Sequence, residues 1–280
     1  MLPVIQILGL PFLACILMSS ILGYLGTHVL KREVIFIDIA LAQIAAVGSI
    51  AAHMAFEVHG DSLTAYLCSF VCVLLAAGFY AFVRNMVSQI SLEAVIGISY
   101  AIAAAAVLFL VGIAPGGHVH IQHILSGSLL WTNWRQIITS LIVFSVIGCI
   151  FYLVKEPMKE ISNSYQNRNA KSLKSVLWDF IFYALLGVVI TLSVQIGGIV
   201  VVFAYLIIPA TISATLTQRL GLQITIIWIS AVLASLAGLL FAYYLDFSIG
   251  PAISLFLGFE LVITSLIAGF CPGILNLYGK

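Results

Sequence analysis

Apolar residues run through this chain in nine blocks, each close to the roughly 20 residues that carry an α-helix across a hydrocarbon layer. The blocks fall near 5–29, 34–56, 63–83, 92–114, 135–154, 176–196, 199–216, 222–245 and 251–270, and polar residues gather in the intervals between them. The seventh block is short and meets the sixth at Gly197-Gly198, which predicts a broken or tightly turned helix pair. The pattern therefore predicts an all-α polytopic membrane protein of about nine transmembrane helices, organised as one membrane domain over residues 1–280.

Composition sharpens that reading. Hydrophobic residues make up 63% of the 280 residues and charged residues 8%, where a soluble domain carries about 25% charged. Too few polar side chains remain to cover a soluble core. The net charge of +1 says little about partners, because the distribution of charge matters more than the sum; no nucleic-acid partner is expected. The five cysteines (Cys15, Cys68, Cys72, Cys149, Cys271) are scattered through apolar runs without a CxxC pair, as small packing residues are. The first block lacks a basic leader and a small-residue cleavage site, so it reads as a retained span.

The charges orient the chain. Lys31 and Arg32 follow the first span, Arg84 the third, Lys155, Lys159, Arg168, Lys171 and Lys174 the fifth, Arg219 the seventh, and Lys280 ends the sequence. With nine spans all of these fall on one side, and of the Lys and Arg residues only Arg135 falls on the other. The positive-inside rule makes the cation-rich side cytoplasmic and the N-terminus external; an even span count would break the pattern. His53, His59, His118, His120 and His123 then lie on the external side. The long polar segment at about 155–174, KEPMKEISNSYQNRNAKSLK, is cytoplasmic, able to form a short surface helix, and serves either orientation or the docking of a soluble partner.

Polar groups at membrane depth are costly, roughly 2.5–3.5 kcal/mol for a central Asp or Lys, so each needs a reason. Asp38 and Gln43 sit in the cytoplasmic half of the second span among Ala40, Ala42, Ala45, Ala46, Gly48 and Ser49, small residues that suit close helix packing. They either make a helix–helix contact or line a substrate path. Glu260 is deep in the ninth span, to be paired across helices, protonated, or facing water. Glu93 and Asp179, near cytoplasmic span starts, read as structural partners of helix N-termini. His118, His120 and His123 crowd six residues in HxHxxH spacing. An i, i+3 pair can bring two imidazoles to one ion, so the cluster is a metal-capture candidate, with a polar interfacial loop as the alternative. Trp131 and Trp134 read as interface anchors. No catalytic constellation and no Walker A glycine loop with lysine is present, so any ATP hydrolysis belongs to another polypeptide.

Four blocks in order resemble a known family. They are GYLGTHVLKREVIFIDIALAQIAAVG, LEAVIGISYAIAAAAVLFL, HIQHILSGSLLWTNW, and QIGGIVVVFAYLIIPATISATL followed by LDFSIGPAISL. Together they resemble the permease subunits of bacterial ABC importers for zinc and manganese, along almost the full length. The resemblance implies a type II ABC importer-like bundle that moves a divalent metal ion by alternating access, with no tightly bound cofactor. It implies a second permease copy, cytoplasmic ABC ATPase subunits docked on a coupling helix within 155–174, an extracytoplasmic metal-binding protein, and the bacterial inner membrane. The resemblance places a metal path at the permease interface; the imidazole cluster opposite the cations and the polar residues of the small-residue span make His118, His120, His123, Asp38 and Gln43 the candidates for it. Many members place Asp and His four apart in the second span; those positions are Ile39 and Gln43 here, with Asp38 displaced by one. Siderophore or cobalamin importers share the architecture, and a secondary metal transporter would need more intramembrane acids than Asp38 and Glu260.

Overall fold

The computed structural model describes residues 2–56, 62–86, 89–113, 127–163 and 173–270. Ten α-helices and one short 3-10 turn make up the described chain: α1 (Leu2–Lys31), α2 (Ile37–Phe56), α3 (Leu63–Met86), α4 (Leu92–Ile113), the 3-10 turn Leu129–Trp131, α5 (Trp134–Leu153), α6 (Lys155–Asn163), α7 (Leu173–Gly197), α8 (Ile199–Leu216), α9 (Leu220–Leu245) and α10 (Ile249–Phe270). Nine of them, all but α6, are long and apolar enough to cross a membrane. They coincide with the nine blocks read from hydropathy. Both faces of most helices are apolar, as a bundle solvated by lipid requires: Leu108, Phe109, Phe259 and Phe270 stay exposed while Val107, Val111 and Leu257 are buried.

Local chemistry sets the helix ends. The Ser62 hydroxyl accepts from the Ala65 amide at 3.2 Å and Ser91 from Ala94 at 3.3 Å, starting α3 and α4. Asn133 and Gln136 cap α5 reciprocally: the Gln136 amide donates to Asn133 Oδ1 at 3.0 Å and the Asn133 amide to Gln136 Oε1 at 3.1 Å. Each exchange satisfies a donor that the first helical turn would leave orphaned. At the far end of α9, Asp246 takes a left-handed conformation (φ 51°) and the Phe247 amide bonds the Ala242 carbonyl at 3.0 Å. Aspartate is one of the few residues that tolerates that conformation, a local reason for the acid of the LDFSIG block. The break expected at Gly197-Gly198 is present: Gly198, at φ 79°, separates α7 from α8.

The chain divides into two units. One comprises residues 1–30, 126–146 and 196–280; the other comprises 31–125 and 147–195. In the first, α8, α9 and α10 pack on one another and the 3-10 turn lies against α10. Its closest approaches use glycine: a Cβ on Gly26 would lie 1.8 Å from the Leu206 carbonyl oxygen, and one on Gly238 2.7 Å from Ile253 Cα. In the second unit α2 packs against α3 and α4, and Ala46 and Ile50 of α2 form a buried cluster with Val107 and Val111 of α4. The small-residue stripe of α2 serves the close packing expected of it. A Cβ on Gly48 would meet the Cys68 carbonyl oxygen and Ser69 Cα, each at 2.8 Å.

The polar segment after the fifth span forms α6 (Lys155–Asn163) over its first nine residues. Helix α7 then begins at Leu173, so Lys174 stands in its first turn rather than in a loop. The orientation has a direct check. A reporter fused after Lys171 is expected to read cytoplasmic and one placed beside His118 external; the reverse pair would invert every side assignment above.

Candidate functional site

Asp38 occupies the first turn of α2 and is 2% exposed. Its Oδ1 accepts from the Ile39 amide at 2.8 Å, and among the described residues no basic side chain forms an ion pair with it. It is thus a buried carboxyl whose printed donor is a backbone amide, at a depth where an unpaired charge would be costly. Gln43 is also nearly buried, at 9%, and among the described residues its amide makes no hydrogen bond. The two are five positions apart on one helix, which separates their directions by about 140°. Helix geometry therefore does not aim them together as an i, i+4 pair would be.

The remaining sequence candidates are distributed differently. His118, His120 and His123 lie outside the described residues, as does His59. Among the described residues no group of three or more His, Cys, Asp and Glu side chains could hold an ion. Glu260 on α10 accepts a hydrogen bond from Ser230 of α9, so it is paired across helices, one of the alternatives left open by the sequence. Nearby in the same unit the Tyr205 hydroxyl of α8 lies 2.5 Å from Ser235 Oγ of α9, with both side chains fully buried. Trp131 and Trp134 are 79% and 63% exposed, at the 3-10 turn and the first residue of α5.

The charged centre that sequence reading missed is Asp179. It is not an N-terminal helix acid: it lies six residues inside α7 and is fully buried. Arg32 Nη1 donates to its Oδ1 at 2.8 Å, with both side chains 0% exposed, and Arg84 at the end of α3 donates to its Oδ2. The Arg32 guanidinium also donates from Nε to Ser162 Oγ at 3.1 Å and from Nη2 to Met158 Sδ at 3.2 Å, both on α6. Its Cζ sits 4.0 Å from the centre of the Phe182 ring. The planar fork of arginine allows this many directed contacts at once, where a lysine ammonium would not. The signal in the sequence was an acid inside LWDFIFYALL, an apolar stretch that demands a cation from elsewhere. Arg32 and Arg84 had been accounted for as orientation charges.

The ABC 3 transport family matches residues 5–268. A "Manganese transport system membrane protein MntC" of Halalkalibacterium halodurans is 24% identical over 86% of this chain and 80% of its own length. A "Probable iron transport system membrane protein" of Haemophilus influenzae is 25% identical over 49% of this chain, a match that spans only 50% of that relative's length. In structure the chain is similar to PsaBC from Streptococcus pneumoniae, with a TM-score of 0.75 at 19% identity over 93% of this chain and 92% of that one. It is also similar to a metal-chelate type ABC transporter in an inward-facing conformation, with a TM-score of 0.65 at 21% identity, over 98% of this chain and 89% of that one. These two likenesses concern the fold.

Proposed function

The chain belongs to the ABC 3 transport family, as a multi-pass membrane permease, and from that premise we propose that its cargo is an unchelated divalent metal ion: manganese, zinc or ferrous iron. The observation that carries the proposal is Asp38, a buried carboxylate with no cationic partner among the described residues, on a helix lined by small residues. An ion that has shed part of its water shell can use such a group. A single carboxylate, with no second ligand on the same face of its helix, holds a transition metal weakly, which suits a site that must release its ion. Manganese is favoured over zinc by this oxygen-donor chemistry and by the names of the relatives.

In this reading a metal-binding protein delivers the ion on the external face of the bacterial inner membrane, where His118, His120 and His123 receive it. A second permease copy completes the path. Cytoplasmic ABC ATPases dock on α6 and drive alternation between outward and inward states, so the permease itself performs no chemistry on its substrate. A metal-chelate cargo would instead need a wide mouth and no ligating side chain. Metal uptake by cells expressing the chain with its cognate ATPase tests the choice. Asp38→Asn is expected to lower uptake roughly tenfold or more at every metal concentration, the order of loss seen when groups around a metal are altered. Replacing His120 and His123 by alanine is expected to lower it chiefly at limiting metal. Parental uptake by an expressed, assembled Asp38→Asn variant would take the ion path away from α2.

A further inference from the structure

We propose that Arg32 is the positioning residue that links α6 to the ion path, by joining α6 to the short turn that leads into Asp38. The inference rests on the reading of Asp38 as a path residue and of α6 as the ATPase docking helix. Arg32 follows directly on α1. Among its side-chain contacts are Ser162 and Met158 on α6 and Asp179 on α7, with Phe182 of α7 beneath the guanidinium. Arg84 of α3 grips the same Asp179. Met158, Ser162 and Asp179 are all buried, at 0%, 2% and 0%. So α6, though nine residues long and rich in polar side chains, is held to the span ends by an interior contact and not merely by its chain connections.

From Arg32 the backbone reaches Asp38 in six residues. The intervening turn is packed and hydrogen-bonded. Glu33 takes a left-handed conformation (φ 54°), Val34 and Ile37 are 0% exposed, and the Ile37 and Ala40 amides bond the Val34 and Phe36 carbonyls at 3.2 Å. A displacement of α6 that keeps its bonds to Arg32 must therefore move the start of α2, where the unpaired carboxylate stands. Packed contacts with two discrete arrangements are what carry coupling between distant sites. A purely architectural ion pair would need only Asp179 and a cation; the added Nε and Nη2 bonds to α6 are what tie the docking helix to the turn.

The test uses the permease reconstituted in vesicles with its ATPase, and two substitutions. Ser162→Ala removes only the Nε contact and leaves Arg32–Asp179 in place. Arg32→Lys keeps the charge but loses the fork. Two quantities are read: metal moved per ATP hydrolysed, and hydrogen exchange of the backbone amides of residues 33–38 with and without nucleotide trapping. The proposal expects the transport-to-hydrolysis ratio to fall by about two- to thirtyfold, the range over which substitutions in coupling networks act. It also expects residues 33–38 to lose their response to nucleotide. A parental ratio in Ser162→Ala, or a preserved exchange response, would make the cluster purely architectural and overturn it; if Arg32→Lys does not assemble, Ser162→Ala decides alone. Failure of the parent complex to move metal would count against the cargo assignment instead, and the exchange response would still decide the role of Arg32.

Discussion

Replacing Asp179 with alanine is expected to abolish folded, extractable protein. Two guanidinium groups converge on this one carboxylate, Arg32 at 0% exposure and Arg84 at 17%. Without it Arg32 keeps Ser162 and Met158, which are neutral. Removing one partner of a buried ion pair costs about 3–5 kcal/mol, because the remaining charge stays desolvated, and that is comparable to a large part of a protein's net stability. Arg84, less deeply placed, can lead its head group toward water along its aliphatic stem, so Arg32 carries most of the penalty. This dictates a rescue. The double replacement Arg32→Met with Asp179→Leu leaves no buried charge at the centre and is expected to restore extractable protein that Asp179→Ala lacks. Thermal unfolding of the solubilised variants measures both effects. An Asp179→Ala protein that melts with the parent would mean that the pair contributes nothing to stability. The same double variant should remain deficient in transport if Arg32 also ties α6 to α2, which separates folding from coupling.

The case of Asp179 also shows where sequence reading stops. Spans were legible because membrane insertion is governed by length and apolarity, both one-dimensional properties, and the nine helices follow the nine blocks. The Gly197-Gly198 break was legible because only glycine takes φ near +79° cheaply. The small residues of α2 were legible as a packing stripe for the same reason: side-chain size is written in the sequence. Pairing is different. Arg32, Arg84 and Asp179 are separated by up to 147 positions, and nothing local says which cation serves which acid. A charge near a span end has a sufficient local explanation, orientation for a cation and helix N-terminal stabilisation for an acid. That explanation hid the interior contact. Glu260 was read more openly because it lay too deep for a local account, and its partner Ser230 is a hydroxyl, which has no sequence signature inside an apolar helix. For Asp38 and Gln43 the sequence supplied position in a span, while burial, and the absence of a paired cation beside Asp38 among the described residues, needed coordinates.

Gly127→Ala should be strongly damaging for a single added methyl. Gly127 sits at φ 67°, where an L-residue with a Cβ is disfavoured by roughly 1–2 kcal/mol. An added Cβ would also lie 2.3 Å from both the Gly197 carbonyl carbon and the Gly198 nitrogen, roughly 1 Å or more inside an ordinary carbon contact. These neighbours are main chain, so no rotamer change relieves the overlap; the segment must lift away. Lifting breaks the bond from the Ser128 amide to the Ile196 carbonyl, 3.0 Å long, and leaves both groups to find partners in an apolar setting where unsatisfied backbone is expensive. The 3-10 turn that follows, with Leu129 buried at 3%, would lose its anchor. Gly97 in α4 and Gly148 in α5 provide the contrast, because a Cβ at either meets nothing within 4 Å. Alanine there is expected to be neutral or to stabilise the helix by up to about 1 kcal/mol. Melting temperature and yield of the three purified variants decide the matter: a loss confined to Gly127→Ala is expected, and a Gly127→Ala protein as stable as Gly148→Ala would show that the segment does not need the close approach to the α7–α8 break.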